Sequence, residues 1–376
     1  MSGPLRRVLI ATAGGFLGLY LELSVIPYLA AQHHGRFTAG VLTFALMLTT
    51  VGMQAAIPVL LRRVSARALF AAGLLLIGAP TLLYSVSQSV LNLTLVTLVR
   101  GAGFGLLTVM GSALVAAYSS RESRGSALGA YGVATSGAAA FAPAVGVAIS
   151  RASPDVIFVL GTLPPLLGAT ALIPQLPPAT IHGSKSAVAS TDAGFSLVAP
   201  VIVFTVIAMA IAAAFTFVPL LPVGSTPLLL MLFGAGFASG RLVGGRLLDR
   251  EYPATVLVLR MLAGTVIGLA LLGISDLVAA AVGAVVSGVV IGCVTTATLV
   301  MMLDRSGPNG VARASVIWNM TYDVGQAVGA IALGAIASLA GASGVFLALP
   351  CLIALVAAPA AVFDWRQGQI ADVGAV

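Results

Sequence analysis

QLPPATIHGSKSAVASTDAG, residues 175–194, is the one long polar stretch in a chain that is otherwise apolar almost throughout. Its prolines, serines and glycines mark a linker. On the N-terminal side, apolar runs separated by charge or turn clusters fall at roughly 8–31, 37–61, 66–88, 91–118, 126–150 and 154–174. On the C-terminal side they fall at roughly 196–222, 226–248, 254–275, 277–302, 312–341 and 343–363. The linker therefore divides twelve runs into six and six, and the expected domains are residues 1–175, a cytoplasmic linker 176–195, and 196–376.

Composition says which solvent these runs meet. Of 376 residues, 59% are hydrophobic and a further 43 are glycine, while charged residues make up 8% against about 25% in a soluble protein. A spanning helix needs about 20 apolar residues, so twelve use about 240 and leave short connections. The chain is expected to be an all-α membrane protein. Its net charge of +7 does not point to nucleic acid, because the arginines are scattered singly between apolar runs rather than gathered on a solvated face. Arg6 and Arg7 precede the first run, but that run is longer than a signal segment and lacks a cleavage site, so it reads as a retained helix. Cys293 and Cys351 lie in apolar runs without paired spacing, so neither a disulfide framework nor a metal site is indicated.

Orientation follows from the basic residues. With both ends on one side, that side receives Arg6, Arg7, Arg62, Arg63, Arg67, Arg121, Arg124, Lys185, Arg246, Arg250, Arg305, Arg313 and Arg366. The other receives Arg36 and Arg151. Both termini are expected in the cytoplasm and the protein in the cell membrane. The halves also resemble each other: Leu60-Leu61-Arg62-Arg63 answers Leu247-Leu248-Asp249-Arg250, and Val25-Ile26-Pro27-Tyr28-Leu29 answers Phe217-Val218-Pro219-Leu220-Leu221. Six is even, so the repeats are parallel and a site between them would lie near mid-bilayer.

Three ionisable residues sit deep inside apolar runs: Glu22, Arg100 and Asp323. At 1.5 Å per residue they lie roughly 21, 26 and 17 Å from the cytoplasmic ends of their helices, which places them in one layer. Such residues cost a few kcal/mol in lipid and face a bundle interior or an aqueous cavity. In the eleventh run Ser315, Asn319, Tyr322, Asp323 and Gln326 form a polar stripe at helical spacing. Thr97, Arg100, Gly101 and Phe104 share a face of the fourth run, and Thr43, Met47, Thr50 and Gln54 one of the second. Glu22, read as a carboxylate without a partner in low dielectric, is expected to load and release protons. Arg100 is expected either to pair structurally with a neighbouring helix or to contact substrate. GxxxG spacings at Gly14 and Gly18, at Gly236, Gly240 and Gly244, and at Gly325 and Gly329 read as close helix packing. Gly101, Gly103 and Gly105 follow no strand, so they are not a dinucleotide loop.

Twelve helices in two parallel repeats with these motifs resemble the major facilitator superfamily over essentially the whole chain. Gly245-Arg246-Leu247-Leu248-Asp249-Arg250 resembles its G-x-L-x-D-R loop signature, and Arg100-Gly101-Ala102-Gly103-Phe104-Gly105 its fourth-helix arginine motif. Ala142-Pro143-Ala144-Val145-Gly146 is similar to the fifth-helix antiporter motif, with Ala142 in place of glycine. Trp318-Asn319-Met320-Thr321-Tyr322-Asp323 resembles an eleventh-helix pattern of the drug-efflux branch. The first-half loop signature has lost its acidic residue to Arg62, which leaves Asp249 to hold the cytoplasmic gate.

The resemblance implies a twelve-helix drug:proton antiporter: a secondary active transporter and no enzyme, without cofactor or metal, acting as a monomer on small amphipathic or lipophilic compounds, cations among them. Proton coupling is assigned to Glu22 and Asp323. Substrate contacts are assigned to Glu22, Arg100, Asn319, Tyr322, Asp323, Gln326 and Gln54, and gating to Asp249, Arg250, Gly245 and Pro143. One proton exchanged for a monovalent cation moves no net charge, whereas a second proton on Asp323 makes the cycle electrogenic. The rival readings are an exporter or facilitator of sugars, amino acids or organic anions, and a membrane protein that binds a ligand without moving it.

Overall fold

The computed structural model describes residues 2–120, 123–177 and 197–374. Most of the expected linker lies outside the described residues. All regular structure among those described is helical, as lipid requires when every backbone polar group must be satisfied within its own segment. Contacts divide the chain into two compact units, Met1–Ser184 and Lys185–Val376.

In the first unit, α1 (Gly3–Leu23) starts at Ser2, whose hydroxyl accepts from the Leu5 amide, and breaks at Ser24 before α2 (Val25–His34). Pro27 explains the break. It has no amide to give to the Leu23 carbonyl, and its ring crowds that carbonyl. The first apolar run is thus one span made of two helices. It is followed by α3 (Arg36–Leu60), α4 (Ala66–Gly78) with a 3-10 extension over Ala79–Ser85, α5 (Val90–Ala117), α6 (Arg124–Ala152) and α7 (Pro154–Leu167). Gly101 and Gly105 let α5 approach the Leu46 and Thr50 carbonyls of α3, while a methyl on Gly103 would sit 2.8 Å from the Gly73 carbonyl of α4. The glycine triplet of α5 is therefore a two-sided helix crossing.

The second unit contains α8 (Val198–Phe217), α9 (Thr226–Asp249), α10 (Ala254–Leu272), α11 (Leu277–Leu352) and α12 (Ala358–Gly374). As a straight rod, the 76 residues of α11 would reach about 114 Å, several bilayers deep. They do not run straight. Arg305 Nη1 lies 2.6 Å from an oxygen of Asp364, although an unbent helix would hold them about 90 Å apart. Met302 also packs in one cluster with Ala314 and Trp318. The run therefore reverses between residues 302 and 314, and again at Gly341, whose φ of +74 is the left-handed conformation that ends helices.

Eleven helices among the described residues are long and apolar enough to cross a membrane, the last being Arg313–Gln367. Its 55 residues would extend about 82 Å, enough for two crossings, and Gly341 divides it near its middle. Among the described residues the architecture is all-α, with six candidate spans before residue 177 and six after residue 197 once the last is divided at Gly341.

Candidate functional site

Glu22 is the penultimate residue of α1. There the C-terminus of α1 meets the N-terminus of α2, so the two helix dipoles offset, and the side chain is fully buried. Arg100 supplies the missing positive charge, its Nη1 lying 2.6 Å from Glu22 Oε2. The carboxylate expected to be unpaired is therefore ion-paired, because the 5 Å difference in estimated depth is within reach of an arginine side chain.

The guanidinium is also held from other directions. Its Nε donates to the Ile77 carbonyl of α4 at 3.2 Å and its Nη2 to the Gly18 carbonyl of α1 at 3.3 Å. Its Cζ stands 5.5 Å from the centre of the Tyr84 ring, within cation–π range. Tyr84 is itself fixed, its hydroxyl 2.8 Å from Thr97 Oγ1. Arg100 thus ties α1, α4 and α5 together, the structural role that was one of its two expected roles.

The carboxylate is less well served. Beyond the Arg100 contact at 2.6 Å, the one other polar side chain among the described residues that is close to the Glu22 carboxylate is Thr81. The nearby Thr81 hydroxyl donates to the Ile77 carbonyl at 2.9 Å. Glu22 therefore has charge compensation from a single cation. It borders a small cavity of about 20 Å³, room for about one water, whose walls, among them Leu19, Ile26, Leu42 and Leu46, are mainly aliphatic.

The backbone around Glu22 is cleared of side chains. Gly146 of α6 lies against the Leu21 carbonyl, and Gly18 lies against the Gly161 carbonyl of α7. The antiporter-like segment with buried Pro143 therefore crosses α1 one residue before Glu22. A methyl on Gly161 would fall on Glu22 Oε1. Gly161→Ala is expected to destabilise the protein by about 1–3 kcal/mol, as overpacking does. In a Glu22→Ala background the same change should cost only about a few tenths of a kcal/mol. Thermal unfolding of the four combinations checks this, with Gly52→Ala inside α3, where nothing lies within 4 Å, as the control that measures the gain in helix propensity alone.

Tyr84, Thr81 and Gly161 were not singled out from the sequence. Thr81 and Tyr84 carry a faint signal, two polar residues three apart in an apolar run. Gly161 carries none. Gln54 is not among the pocket residues: its Nε2 donates to Thr108 Oγ1 at 3.3 Å, joining α3 to α5.

The remaining candidates belong to the second unit. On α11, Asp323 and Gln326 are buried and Tyr322 is half-buried, whereas Asn319 is exposed and donates to the Ser315 carbonyl of its own helix at 2.8 Å. The Tyr322 and Trp318 rings are nearly parallel, and Phe204 of α8 stacks on both, 4.8 Å from Trp318 and 5.9 Å from Tyr322. Gly325 and Gly329 lie against Thr205 and Met209 of α8, so this GxxxG pair marks a helix crossing. Gly245, Asp249 and Arg250 close α9, and the last two are exposed.

Residues 8–250 and 202–369 each match the sequence pattern of the Major Facilitator Superfamily. The chain belongs to this family. It is accordingly a multi-pass membrane transporter of small-molecule substrates. Among solved structures it is similar to an inward-facing, unoccupied bacterial homologue of the human lysosomal transporter Spinster, with 15% identity and a TM-score of 0.79 over 97% of this chain and 98% of that one. It is also similar to the nucleoside transporter NupG, with 14% identity and a TM-score of 0.75 over 97% and 100%. A peptide-bound POT family transporter matches with 11% identity and a TM-score of 0.71 over 97% and 96%. At these identities the likeness is one of fold. No curated protein sequence matches the chain.

Proposed function

We propose that this facilitator-family member is a proton-coupled exporter of small amphipathic or lipophilic compounds, working by alternating access in the cell membrane with both termini cytoplasmic, as in the drug:proton antiporters its motifs resemble. The observation that carries the reading is the fully buried Glu22, charge-compensated by Arg100 beside a small cavity with aliphatic walls that would have to widen to admit cargo. With Glu22 ionised, the pair has no net charge, and apolar cargo meets walls of its own kind. Protonation of Glu22 leaves the Arg100 charge uncompensated in the same pocket, which draws water and disfavours apolar cargo. Proton and cargo therefore compete without touching the same atom. Competition of this kind, combined with alternating access, exchanges one for the other.

The test is proton release on binding. Purified protein in weakly buffered detergent solution is titrated with neutral amphipathic aromatic amides, and the expected result is a saturable acidification that tracks occupancy. In proteoliposomes the same compounds are expected to move against an imposed pH gradient and to stop when a protonophore collapses it. Binding with no proton released rejects the coupling.

A further inference from the structure

Two guanidinium groups converge where the first unit ends its sixth span. Arg7 of α1 donates through Nη1 to the Gln175 carbonyl at 3.1 Å, and Arg67 of α4 donates through Nη1 to the next carbonyl, that of Leu176. Tyr118, which follows α5, gives its hydroxyl to the Pro177 carbonyl at 2.6 Å. A carbonyl accepts a hydrogen bond without cancelling a charge, so two full positive charges are gathered at successive residues of one chain. Like charges held this way repel. We infer that this corner holds the phosphate of an acidic membrane lipid, whose acyl chains lie against the outer faces of α4 and α7.

The protein supplies no counter-charge of its own there. Among the described residues the first unit carries two carboxylates, Glu22 and Asp155. Glu22 is buried against Arg100, and Asp155 opens α7 at the far end of the sixth span. Neither pairs with Arg7 or Arg67. Arg6 beside Arg7, and Arg62 and Arg63 in the turn that leads to α4, are exposed and add to the positive field. The end of the twelfth span is built differently. There Arg305 meets a carboxylate, each Nη lying 2.6 Å from an oxygen of Asp364.

The donor set suits a phosphate. Each arginine uses one N–H on its carbonyl and keeps four of its five, and phosphate oxygens accept from two such forks at once. The carbonyl bonds also fix both guanidinium groups beforehand, so little side-chain freedom is lost on binding. What adjoins the corner favours a lipid over a free anion. Helices α4 and α7 are joined by Thr162, whose hydroxyl donates to the Gly78 carbonyl at 3.2 Å. Beyond the arginines their outward faces carry Ala68 and Leu75 on one helix and Leu163, Leu167 and Ala171 on the other, all exposed. These positions recur at helical spacing, so an apolar strip on each helix runs from the corner into the bilayer. Headgroup and acyl chain thus meet matching partners in the order in which a membrane presents them.

The test is lipid binding by the purified full-length protein in an uncharged detergent. Native mass spectrometry follows phosphatidylglycerol and phosphatidylcholine with the same acyl chains. Phosphatidylglycerol is expected to bind at least about tenfold more tightly, with a preference that shrinks as salt is added. Arg7→Gln combined with Arg67→Gln should weaken phosphatidylglycerol by about thirtyfold, the worth of two arginines at an acidic lipid, and leave phosphatidylcholine unchanged. Arg62→Gln combined with Arg63→Gln removes as much charge from the same face without touching the corner. It should weaken phosphatidylglycerol by no more than about threefold, because exposed charges are screened.

Equal losses in the two double variants would mean a diffuse positive rim without a site, and would overturn the inference. Equal affinity for the two lipids would overturn it too. Displacement of phosphatidylglycerol by an equal concentration of glycerol phosphate would make the ligand a free anion and reject the lipid. If the Arg7 and Arg67 double variant does not fold, the wild-type lipid preference, its salt dependence and the glycerol phosphate competition decide the matter.

Discussion

Arg100→Ala is expected to destabilise the protein by about 3–5 kcal/mol, the usual cost of removing one partner from a buried ion pair. Three losses add up at that position. Glu22 would lose its counter-charge and have to take up a proton to stay buried, the Gly18 carbonyl would lose its side-chain donor and the Ile77 carbonyl one of its two, and the face of Tyr84 would lose its cation. Most of the cost belongs to the stranded carboxylate rather than to the worth of the pair, which predicts a specific pattern. The double variant Glu22→Gln with Arg100→Ala should recover more than half of the stability lost in Arg100→Ala. Thermal unfolding in one detergent measures all four corners of the cycle. A double variant no more stable than Arg100→Ala would show that the arginine holds α1, α4 and α5 together through its carbonyl bonds alone.

The twelve-span fold was legible because lipid leaves so little freedom. Apolar length, scattered charge and a single polar linker define the spans almost without reference to packing. The least visible boundary is the one at Gly341, where Leu339-Ala340-Gly341-Ala342-Ser343 contains neither a charge nor a proline. One glycine with a positive φ makes the turn there. The break at Ser24 was half visible, since Pro27 announces an interruption but not which carbonyl is released.

The site was legible in one dimension only. Counting residues gives depth along a helix axis and says nothing about which faces meet, so Glu22 and Arg100 shared a layer on paper without being recognised as a pair. The groups that complete the pair come from a helix extension with little polar pattern, Thr81 and Tyr84, and from a glycine whose contribution is the absence of a side chain. The α11 stripe shows the opposite limit. Helical period places Ser315 to Gln326 on one face, but that face runs about 17 Å along the axis, and its surroundings change from the exposed Asn319 to the buried Asp323 and Gln326. Periodicity identifies a face, not a uniform environment.

Glu22→Gln is expected to leave a transporter that no longer responds to a pH gradient. The amide keeps the size of the carboxyl group and fits the same notch beside Gly161, but it cannot ionise, so the pocket carries the Arg100 charge in every state and neutral cargo binds weakly at all pH values. In the wild type a step of two pH units is worth about 2.7 kcal/mol per proton, a cargo ratio of about a hundredfold across the membrane for one-to-one exchange. In the variant that ratio should collapse to one. Exchange of a neutral compound for a proton also moves charge, so in the wild type a potential of 100 mV should add about 2.3 kcal/mol, and in Glu22→Gln it should add nothing. Cargo ratios in proteoliposomes under separately imposed pH steps and potassium diffusion potentials measure both quantities. A variant that still concentrates cargo against a pH step would move the proton site away from Glu22, and buried Asp323 of α11 would be the next residue to substitute.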